Sequence, residues 1–477
     1  MNLLRELVAA LPLTLVVLGF VAILAVETAA PRRSGRAPAL LAALSIGLAL
    51  ARLLSTRAGG QPFGLLADDA MARALSGLLL LVALAVVAMA DPLLERLALA
   101  RGEFHALLLA SLSGMLLVVG ARDLLVLFLG IELLSIPLYV LAAYRRLTPD
   151  GVEAGFKYFL LGAFASGFLV FGIALLYGAC GRTHYDGLAA LAARPDLQGT
   201  LWRAGLALLL VGVGFKAAAA PFHAWVPDVY HGASTPVTAF MAAGVKAAAF
   251  GAALRLALEV LPASSALLTG FIVVASLSMI AGNLGALLQT HLKRLLAWSS
   301  IAHAGYLLVG VAAALQRRDA IARDSVLFYL AAYALTTVAA FALILHLGRE
   351  LGPAQDLRAL RGLARSRPWI SFALALCFLS LAGVPLTAGF LGKLFVIQAA
   401  WTAGAALLLP AILLALTSVV ALGYYLRVVA TLYMEPEDVR LAEPAVSRSI
   451  AVVTTLSVAA ILVLGVWPAP LLRWLAP

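Results

Sequence analysis

The feature that most constrains the fold is a series of continuous apolar runs, each about 20 residues long, that recurs along the whole chain. A bilayer hydrocarbon core about 30 Å thick is crossed by about 20 apolar residues in a helix. The runs are rich in Leu, Ala, Val and Gly, and they lack the alternation of membrane β-strands. With 64% hydrophobic and 12% charged residues, the sequence predicts an all-α integral membrane protein.

Two of the apolar runs are too long for a straight span, and each contains a proline near its middle, Pro221 or Pro385. We expect both helices, 201–230 and 368–403, to be broken. Paired interrupted spans are typical of inverted-repeat transporters, so the sequence favours an internal repeat. About fourteen transmembrane helices are predicted, at 7–29, 37–54, 71–90, 104–120, 122–143, 153–178, 201–230, 234–258, 264–287, 292–314, 322–348, 368–403, 405–433 and 446–474.

Several other classes of protein are excluded by what the sequence lacks. Cys180 and Cys377 are far apart and form no ligand-spaced cluster, so no metal or iron–sulfur site and no disulfide framework is predicted. The net charge of +11 comes from residues scattered through short loops, without the basic stripe that nucleic-acid binding requires. The apolar run from Leu7 is interpreted as a retained first helix.

The distribution of basic residues in the loops predicts an orientation. With the N-terminus outside, sixteen basic residues fall in inner loops and thirteen in outer loops, a small difference. The inner set includes the cluster from Arg358 to Arg367, which decides the assignment. Both termini are therefore predicted to lie on the outer face of the membrane.

The lysines are the most informative residues. Of the 34 basic residues only five are lysine: one, Lys293, sits at the start of a predicted helix, and the other four fall inside predicted helices, namely Lys157, Lys216, Lys246 and Lys393. Arginine keeps its proton in proteins, whereas a desolvated lysine can lose its proton. Ionisable groups at membrane depth are costly and indicate proton or ion pathways. The pattern therefore predicts proton transfer through buried amines.

Glu132 is the one carboxylate that we place deep in a span, in the stretch GIELLSIPLYV. A neighbouring lysine would keep this carboxylate ionised and would release its own proton on moving away, so the two residues would form a switchable pair. The alternative is a static buried salt bridge between two helices.

Each proline break has a lysine nearby. Lys216 precedes Pro221 by five residues, and this proline removes a backbone hydrogen bond to the carbonyl of Ala217. Pro385 would likewise free the carbonyl of Leu381, ahead of Lys393. A loosened helix would give water access to these amines, although an ordinary proline kink is the alternative.

The remaining candidates differ in depth. Lys246 lies in mid-helix with no interface to reach, which favours function, whereas Lys157 lies in the first turns of its helix and could instead extend to the headgroups. His223 and His303 are at membrane depth and could relay protons between lysines, or could be neutral hydrogen-bonded core residues.

The segment APFHAWVPDVYHGASTPVTAFMAAGVK, residues 220–246, resembles the antiporter-like, proton-translocating subunits of bacterial NADH:quinone oxidoreductase, respiratory complex I. The stretches at 130–144, 295–310 and 381–396 extend this resemblance over about 104–433. The motif PDVY-x-G-x-x-TPVTAF and the chain length are most similar to those of the subunit N group. The sequence departs from the family pattern at two places: Ser234 replaces an expected proline, and Gly244-Val245 replaces Ala-Pro.

The resemblance implies the organisation of the chain. It implies two inverted five-helix repeats, at 104–258 and 259–433, each with one Pro-broken helix, preceded by helices 1–3 in 1–103 and followed by helix 14 in 434–477. It also implies roles for four residues: Glu132 and Lys216 form the first pair, Lys246 is the central relay, and Lys393 is on the exit side.

The resemblance further implies partners and cofactors. Sibling subunit M and the small subunit K would be neighbours in the membrane arm, among lipids. NADH, FMN, iron–sulfur clusters and quinone would bind in partner subunits, and this chain would hold no cofactor or metal and no complete active site. Two other functions remain open: a subunit of a multi-subunit cation/proton antiporter, and a passive scaffold whose lysines only join helices or bind cardiolipin.

Overall fold

The computed structural model describes residues 6, 8–29, 35–56, 60–347, 356–436 and 447–475. Within these ranges the chain is almost entirely helical, and its β contacts are isolated bridges. The α-helices, numbered in chain order, are α1 Leu11–Ala29, α2 Ala37–Ser55, α3 Ala70–Arg96, α4 Arg101–Gly120, α5 Leu124–Ala142, α6 Pro149–Cys180, α7 Tyr185–Ala192, α8 Thr200–Lys216, α9 Val226–Gly232, α10 Thr235–Phe240, α11 Lys246–Glu259, α12 Ser265–Leu287, α13 Leu292–Arg317, α14 Ala320–His346, α15 Leu363–Ser366, α16 Pro368–Ala382, α17 Ala388–Ala403, α18 Leu408–Tyr433, α19 Arg448–Val466 and α20 Ala469–Leu475.

The predicted all-α membrane class is confirmed. In the described part of the chain, 12 helical segments are long and apolar enough to cross a membrane. Two further regions, 200–232 and 368–403, are each made of two shorter helices. The number of fourteen crossings and the predicted orientation stay predictions. Of the basic residues counted for that orientation, six lie outside the described residues: Arg5, Arg32, Arg33, Arg57, Arg349 and Arg440.

Two predicted helix ends were wrong, and a proline lies near each of them. Helix α3 continues through Pro92 to Arg96 rather than ending at 90. A proline inside a helix leaves the carbonyl four residues earlier without its helical partner, and here the Ser449 hydroxyl donates to that carbonyl of Ala88 at 2.8 Å. The last predicted helix instead stops at Val466 and resumes at Ala469, because Pro468 interrupts it.

The two predicted breaks are confirmed, and both are complete interruptions rather than kinks. Helix α8 ends at Lys216, so the first break begins before Pro221 and does not start from the carbonyl of Ala217 as predicted. Ala218 has a left-handed backbone conformation with φ 61°, which ends the helix. The N–H of Ala220 donates to the Ser278 hydroxyl of α12 at 2.8 Å, so this break is anchored on another helix.

The second break separates α16 from α17. Gly383, with φ 88°, caps α16, and Leu386 also has a positive φ of 71°. The chain thus turns out of helical geometry over 383–387 and then starts a new helix at Ala388. Pro385 lies in this turn, as the sequence predicted.

One helix was predicted at 234–258, but the span 235–259 is not a regular α-helix. It is formed by α10, a π-helical turn at Met241–Val245 and α11. A π turn contains one residue more than an α turn and is frequent at functional sites. Lys246 is the first residue after this turn.

The centre of the molecule is formed by α10–α11, α13 and α14. The apolar window of 235–259 is 100% buried, and those of α13 and α14 are 94% buried. In contrast, α1 and α12 bury only 17% and 28% of theirs. Polar side chains on the three central helices are therefore shielded from lipid by other parts of the chain.

Two helix hairpins pack in a similar way, one in each half. Helix α4 packs on α5, and α12 packs on α13. A methyl group at Gly114 would overlap the backbone of Leu134, and one at Gly282 would overlap the backbone of Ala302. Small residues permit this close approach of membrane helices. The similarity supports an internal repeat, whose boundaries remain as predicted from the sequence.

Candidate functional site

Lys216 is buried at the end of α8, where the first break begins. Its ammonium Nζ donates to the Tyr139 hydroxyl at 3.3 Å. It also lies 5.2 to 5.3 Å from the ring centroids of Tyr139, Tyr158 and Phe215. Aromatic rings attract a cation through their quadrupole, so this amine is surrounded by weak attractive contacts rather than by an anion.

Glu132 and Lys216 do not form the direct ion pair that was predicted. The Glu132 carboxylate accepts a hydrogen bond from the Ser166 hydroxyl of α6 and is half-buried. Tyr139, which contacts Lys216, follows Glu132 by two turns on the same helix. Because residues seven apart lie on one helix face, Glu132 and Tyr139 face the same way on α5. Glu132 is therefore connected to Lys216 only indirectly, by way of Tyr139.

Lys246 is 2% exposed and points from the π turn toward α13. Its ammonium donates to the backbone carbonyl of Ser300. The same Nζ lies 5.1 Å from the ring centroid of Tyr333 on α14. Lys246 therefore links the three central helices.

His303 lies on α13, one turn beyond Ser300, and is 2% exposed. Its Nδ1 is 2.7 Å from the Tyr329 hydroxyl, and its Nε2 is 3.3 Å from the Tyr425 hydroxyl. Both ring nitrogens thus have a hydroxyl partner, which lets one nitrogen accept a proton while the other donates.

Lys393 lies on α17, after the second break, and is 5% exposed. Its ammonium donates to the Ala382 carbonyl at 2.8 Å and lies 4.9 Å from the Tyr306 ring centroid. Ala382 is the last residue of α16. The break therefore does release a carbonyl for the lysine, but this carbonyl is at Ala382 and not at Leu381 as predicted.

These contacts form a continuous line of side chains from Lys246 to Lys393. The Tyr333 ring contacts Lys246, and its centroid is 5.0 Å from that of His303. The His303 ring centroid is 5.3 Å from that of Tyr306, whose ring contacts Lys393. The line therefore starts on α11 and continues through α14, α13 and α17, and it brings together three residues chosen from the sequence.

Lys216 and Glu132 lie outside this line, and so do two further predicted residues. His223 follows the first break, and its ring packs on Trp298 at a centroid distance of 5.6 Å, without contact to a lysine. Lys157 is 39% exposed and forms ion pairs with Glu153 at 2.6 Å and Asp228 at 2.5 Å. Their relay roles stay predictions.

The tyrosines are the functional residues that sequence reasoning missed. Tyrosine is common in cores and at interfaces, so its presence in a span has little weight alone. A usable signal was present: Tyr329 and Tyr333 are four residues apart on α14, and Tyr424 and Tyr425 are adjacent on α18. The hydroxyl of Tyr424 donates to Asn283, whose amide in turn donates to Tyr306 at 3.1 Å.

The surroundings of the three buried lysines suit proton exchange. Lys216, Lys246 and Lys393 form hydrogen bonds to a hydroxyl or to backbone carbonyls, and none has an ion pair among the described residues. An unpaired buried charge is costly, whereas a neutral amine is not. Each lysine can therefore exist without its proton, which a fixed salt bridge would prevent.

Together these features define a helical membrane protein of the transporter type, with two broken spans and ionisable groups aligned inside it. A family model described as "NADH:quinone oxidoreductase/Mrp antiporter, TM" matches residues 121–421, a range that includes all of these lysines. The chain belongs to this family.

Individual relatives agree with this assignment. NADH-quinone oxidoreductase subunit N of Myxococcus xanthus is 45% identical over 408 residues, which are 79% of this chain and 78% of the relative. The subunit N of Paramagnetospirillum magneticum is 39% identical over 484 residues, covering 98% of this chain and 96% of the relative.

Two solved structures share the fold. A chain of respiratory complex I from Thermus thermophilus is 38% identical, with a TM-score of 0.82 and coverage of 98% of this chain and 99% of that chain. A chain of the Mrp complex from a Dietzia species is 23% identical, with a TM-score of 0.85 and coverage of 98% and 96%. The second likeness concerns the fold alone.

Proposed function

We propose that this chain is a proton-translocating membrane subunit of a bacterial NADH:quinone oxidoreductase, of the subunit N type. The observation that carries the proposal is the line from Lys246 through Tyr333, His303 and Tyr306 to Lys393, in which neither lysine forms an ion pair with a carboxylate of the described residues. Relatives named as subunit N of that enzyme support the assignment to this complex.

In the proposed mechanism, Lys246 and Lys393 alternate between the ammonium and the neutral amine. A proton leaving Lys246 reaches His303, whose ring nitrogens contact Tyr329 and Tyr425. His303 then passes a proton onward to Lys393 and returns to its neutral form. The positive charge of either lysine repels an imidazolium at His303, so the proton stays there only briefly.

The Glu132 region is proposed to control the first lysine. Glu132 is too far from Lys216 for an ion pair, but its negative charge stabilises the ammonium of Lys216 across Tyr139. A partner subunit that neutralises Glu132 would remove this stabilisation and would favour proton release from Lys216. In this proposal Glu132 acts on Lys216 through long-range electrostatic attraction, in place of the direct switchable ion pair that was predicted.

A partner subunit is expected to cover the outer face of α5. Glu132 is half-buried, while Leu129, Leu133 and Ile136 on the same helix are exposed at 60%, 38% and 57%. A carboxylate at membrane depth is costly next to lipid tails. We therefore propose that sibling subunit M or small subunit K packs on the chain in the membrane arm, with lipids on its other faces.

The redox chemistry is assigned to partner subunits. We propose that NADH, FMN, iron–sulfur clusters and quinone bind there, and that this chain acts as a non-redox subunit of the enzyme. The bacterial relatives favour a location in the inner membrane. The arginines at 358–367 favour a cytoplasmic position for that loop, which would place both termini in the periplasm.

The test is NADH-driven proton pumping by the whole complex in vesicles, with the variants Lys216→Ala, Lys246→Ala and Glu132→Ala. We expect pumping to be lost or strongly reduced in each. NADH oxidation with an artificial acceptor serves as the control for assembly of the redox subunits. Unimpaired pumping in all three variants would reject the pathway and would favour a passive scaffold.

Arginine replacements sharpen this test. Lys246→Arg keeps the positive charge but cannot release its proton near neutral pH. We expect it to fail as completely as Lys246→Ala. Full pumping by the arginine variant would show that only the charge matters.

A second candidate function is a subunit of a multi-subunit cation/proton antiporter. The fold is shared with a chain of the Mrp complex, and the family includes both kinds of protein. Sodium-dependent proton transport in vesicles without NADH oxidation would select this function. Co-purification with NADH-oxidising iron–sulfur subunits would select the oxidoreductase.

A further inference from the structure

Two histidines meet at one end of the molecule, where α9 ends and α13 begins. His231 is in the last turn of α9, and His291 immediately precedes α13. Their ring centroids are 5.3 Å apart, the one contact between two histidine rings in the described part of the chain. The His231 side chain is 26% exposed, so protons from solvent can reach this pair.

Charged groups surround the pair from several elements. The carboxylate of Asp150, at the start of α6, is 4.0 Å from Nε2 of His231 and attracts an imidazolium there. Lys293, Arg294 and a protonated His291 repel that imidazolium.

The nearby charged groups are otherwise paired with one another: Arg294 and Lys157 with Asp228, and Lys157 with Glu153. Asp356 forms a backbone bridge with His291.

This balance suits a group that takes up a proton and gives it away. Attraction comes from one exposed carboxylate, whereas repulsion comes from three basic neighbours. Histidine titrates near neutral pH and can therefore change its charge under working conditions. The pair can accept a proton without holding it permanently.

A route leads inward from the pair. Lys293 is 0% exposed, and its ammonium donates to the Ala233 carbonyl at 2.5 Å, two residues after His231. Ser300, whose carbonyl accepts the hydrogen bond from Lys246, follows Lys293 by seven residues on α13. This spacing puts both residues on one face of the helix, about 10 Å apart along its axis.

At the opposite end of the Lys246 helix, the buried basic group is an arginine. There Arg255 is 1% exposed and is hydrogen-bonded to Asp69 and Glu259. Arginine keeps its proton near neutral pH. Arg255 is therefore not a proton relay to Lys246 at that end.

We propose that His231 and His291 form a proton-loading site that supplies Lys246 by way of Lys293. This inference rests on the proposed function. In the loading step, a hydronium ion or a buffer acid gives a proton to the neutral imidazole of His231. The proton then moves to the neutral amine of Lys293 and, through water along α13, to the neutral amine of Lys246. Each donor returns to its neutral form, so only one proton has moved.

The experiment compares the whole complex carrying His231→Gln and His291→Gln together with the control His184→Gln. His184 is also a partly exposed histidine, but it lies before α7 and contacts the Gly64 carbonyl. We expect the double variant to pump at near the wild-type rate at about pH 6 and at least about tenfold more slowly at about pH 8, where protons are scarce. The control should keep the wild-type profile.

Added imidazole tests the chemical role of the lost side chains. We expect it to restore pumping by the double variant at high pH, which a purely structural defect would not permit. If the double variant does not assemble, the single variant His231→Gln is measured in the same way. A wild-type pH profile in the assembled variant, or a lost rate that imidazole does not restore, would overturn the inference.

Lys246→Ala separates this inference from the proposed function. If Lys246→Ala stops pumping while the histidine variants behave as wild type, only the loading site is rejected. If Lys216→Ala, Lys246→Ala and Glu132→Ala all pump normally, the proposed function itself is rejected.

Discussion

Lys393 donates a hydrogen bond to the carbonyl of Ala382, across the second helix break. The amine thus replaces the backbone N–H that a continuous helix would provide to this carbonyl. Lys216 has a different relation to the first break, because it is itself the last helical residue and donates to Tyr139. The two lysines therefore depend on their breaks in different ways, and different substitutions should separate them.

Gly383→Ala should displace Lys393. A methyl group at this position would lie 3.0 Å from Cδ and 3.4 Å from Nζ of Lys393. The backbone φ of 88° also disfavours alanine, at a cost of about 1–3 kcal/mol. We expect NADH-driven pumping to fall strongly, as measured by a pH-sensitive dye in vesicles.

Gly181→Ala is the matched control for this change. Gly181 also has a positive φ, 68°, but no atom lies within 4 Å of the added methyl group. It should impose similar backbone strain without touching a lysine. Equal losses of pumping in the two variants would contradict a specific role of the Lys393 position.

Tyr139→Phe should weaken the site of Lys216 without removing its aromatic surroundings. The substitution removes the hydroxyl that accepts from Nζ at 3.3 Å but keeps the ring at 5.2 Å. A lost hydrogen bond to a charged group costs about 1.5–3 kcal/mol, which corresponds to a rate change of about tenfold or more. Pumping rates should fall accordingly, while Tyr177→Phe, on an exposed tyrosine, should have no effect.

Ala218→Gly should relieve strain at the first break. Ala218 has φ 61°, and a left-handed conformation costs a residue with a side chain about 1–2 kcal/mol. Ala219, beside it, is equally buried and does not have a positive φ. In thermal unfolding of the detergent-solubilised protein, Ala218→Gly should therefore be more stable than Ala219→Gly by about 1 kcal/mol. The reverse order would show that the turn is not strained.

Asp69→Asn should destabilise the end of the molecule opposite the histidine pair. Asp69 precedes α3, and its carboxylate accepts from Arg255 at 2.9 and 3.0 Å. Arg255 is buried and would keep Glu259 and the Val119 carbonyl as partners but lose one of its two carboxylates, so we expect a loss of about 2 kcal/mol. Asp196→Asn, at an exposed loop position, serves as the control in the same unfolding measurement.

The effect of Asp69 should depend on pH. Burial raises the pKa of Asp69, but the hydrogen bonds and charge of Arg255 outweigh burial and hold this pKa below its usual range. The carboxylate therefore contributes stability above the unfolded value of about 3.9, and this contribution is lost as pH falls through the lower folded value. The difference between wild type and Asp69→Asn should thus be constant near neutral pH and disappear in strong acid.

Much of the fold could be predicted because the membrane leaves few choices. Lipid forces every backbone polar group into a helix, so apolar length alone located most of the spans. Pro221 and Pro385 marked the two breaks because a proline lacks the backbone N–H that a continuous helix needs. The exact end of α8 could not be predicted, because Ala218 adopts a left-handed conformation that no local residue type announces.

The candidate site was only partly predictable. Burial of a lysine is costly, so Lys216, Lys246 and Lys393 were recognisable in the sequence, whereas a buried tyrosine is ordinary. Contacts between distant helices, such as that of His303 with Tyr425, depend on packing that no local pattern contains. The same limit explains why Glu132 was expected beside Lys216, although its hydrogen-bond partner is Ser166.

The five-residue turn before Lys246 sets the direction in which that amine points. One additional residue in a helix rotates everything that follows by about 100° around the axis. Without the residue inserted at Met241–Val245, Lys246 would face away from Ser300 and Tyr333, and the rest of α11 would turn with it. A one-residue deletion there would thus rotate Arg255 as well, because Lys246 and Arg255 lie on one continuous helix after the turn.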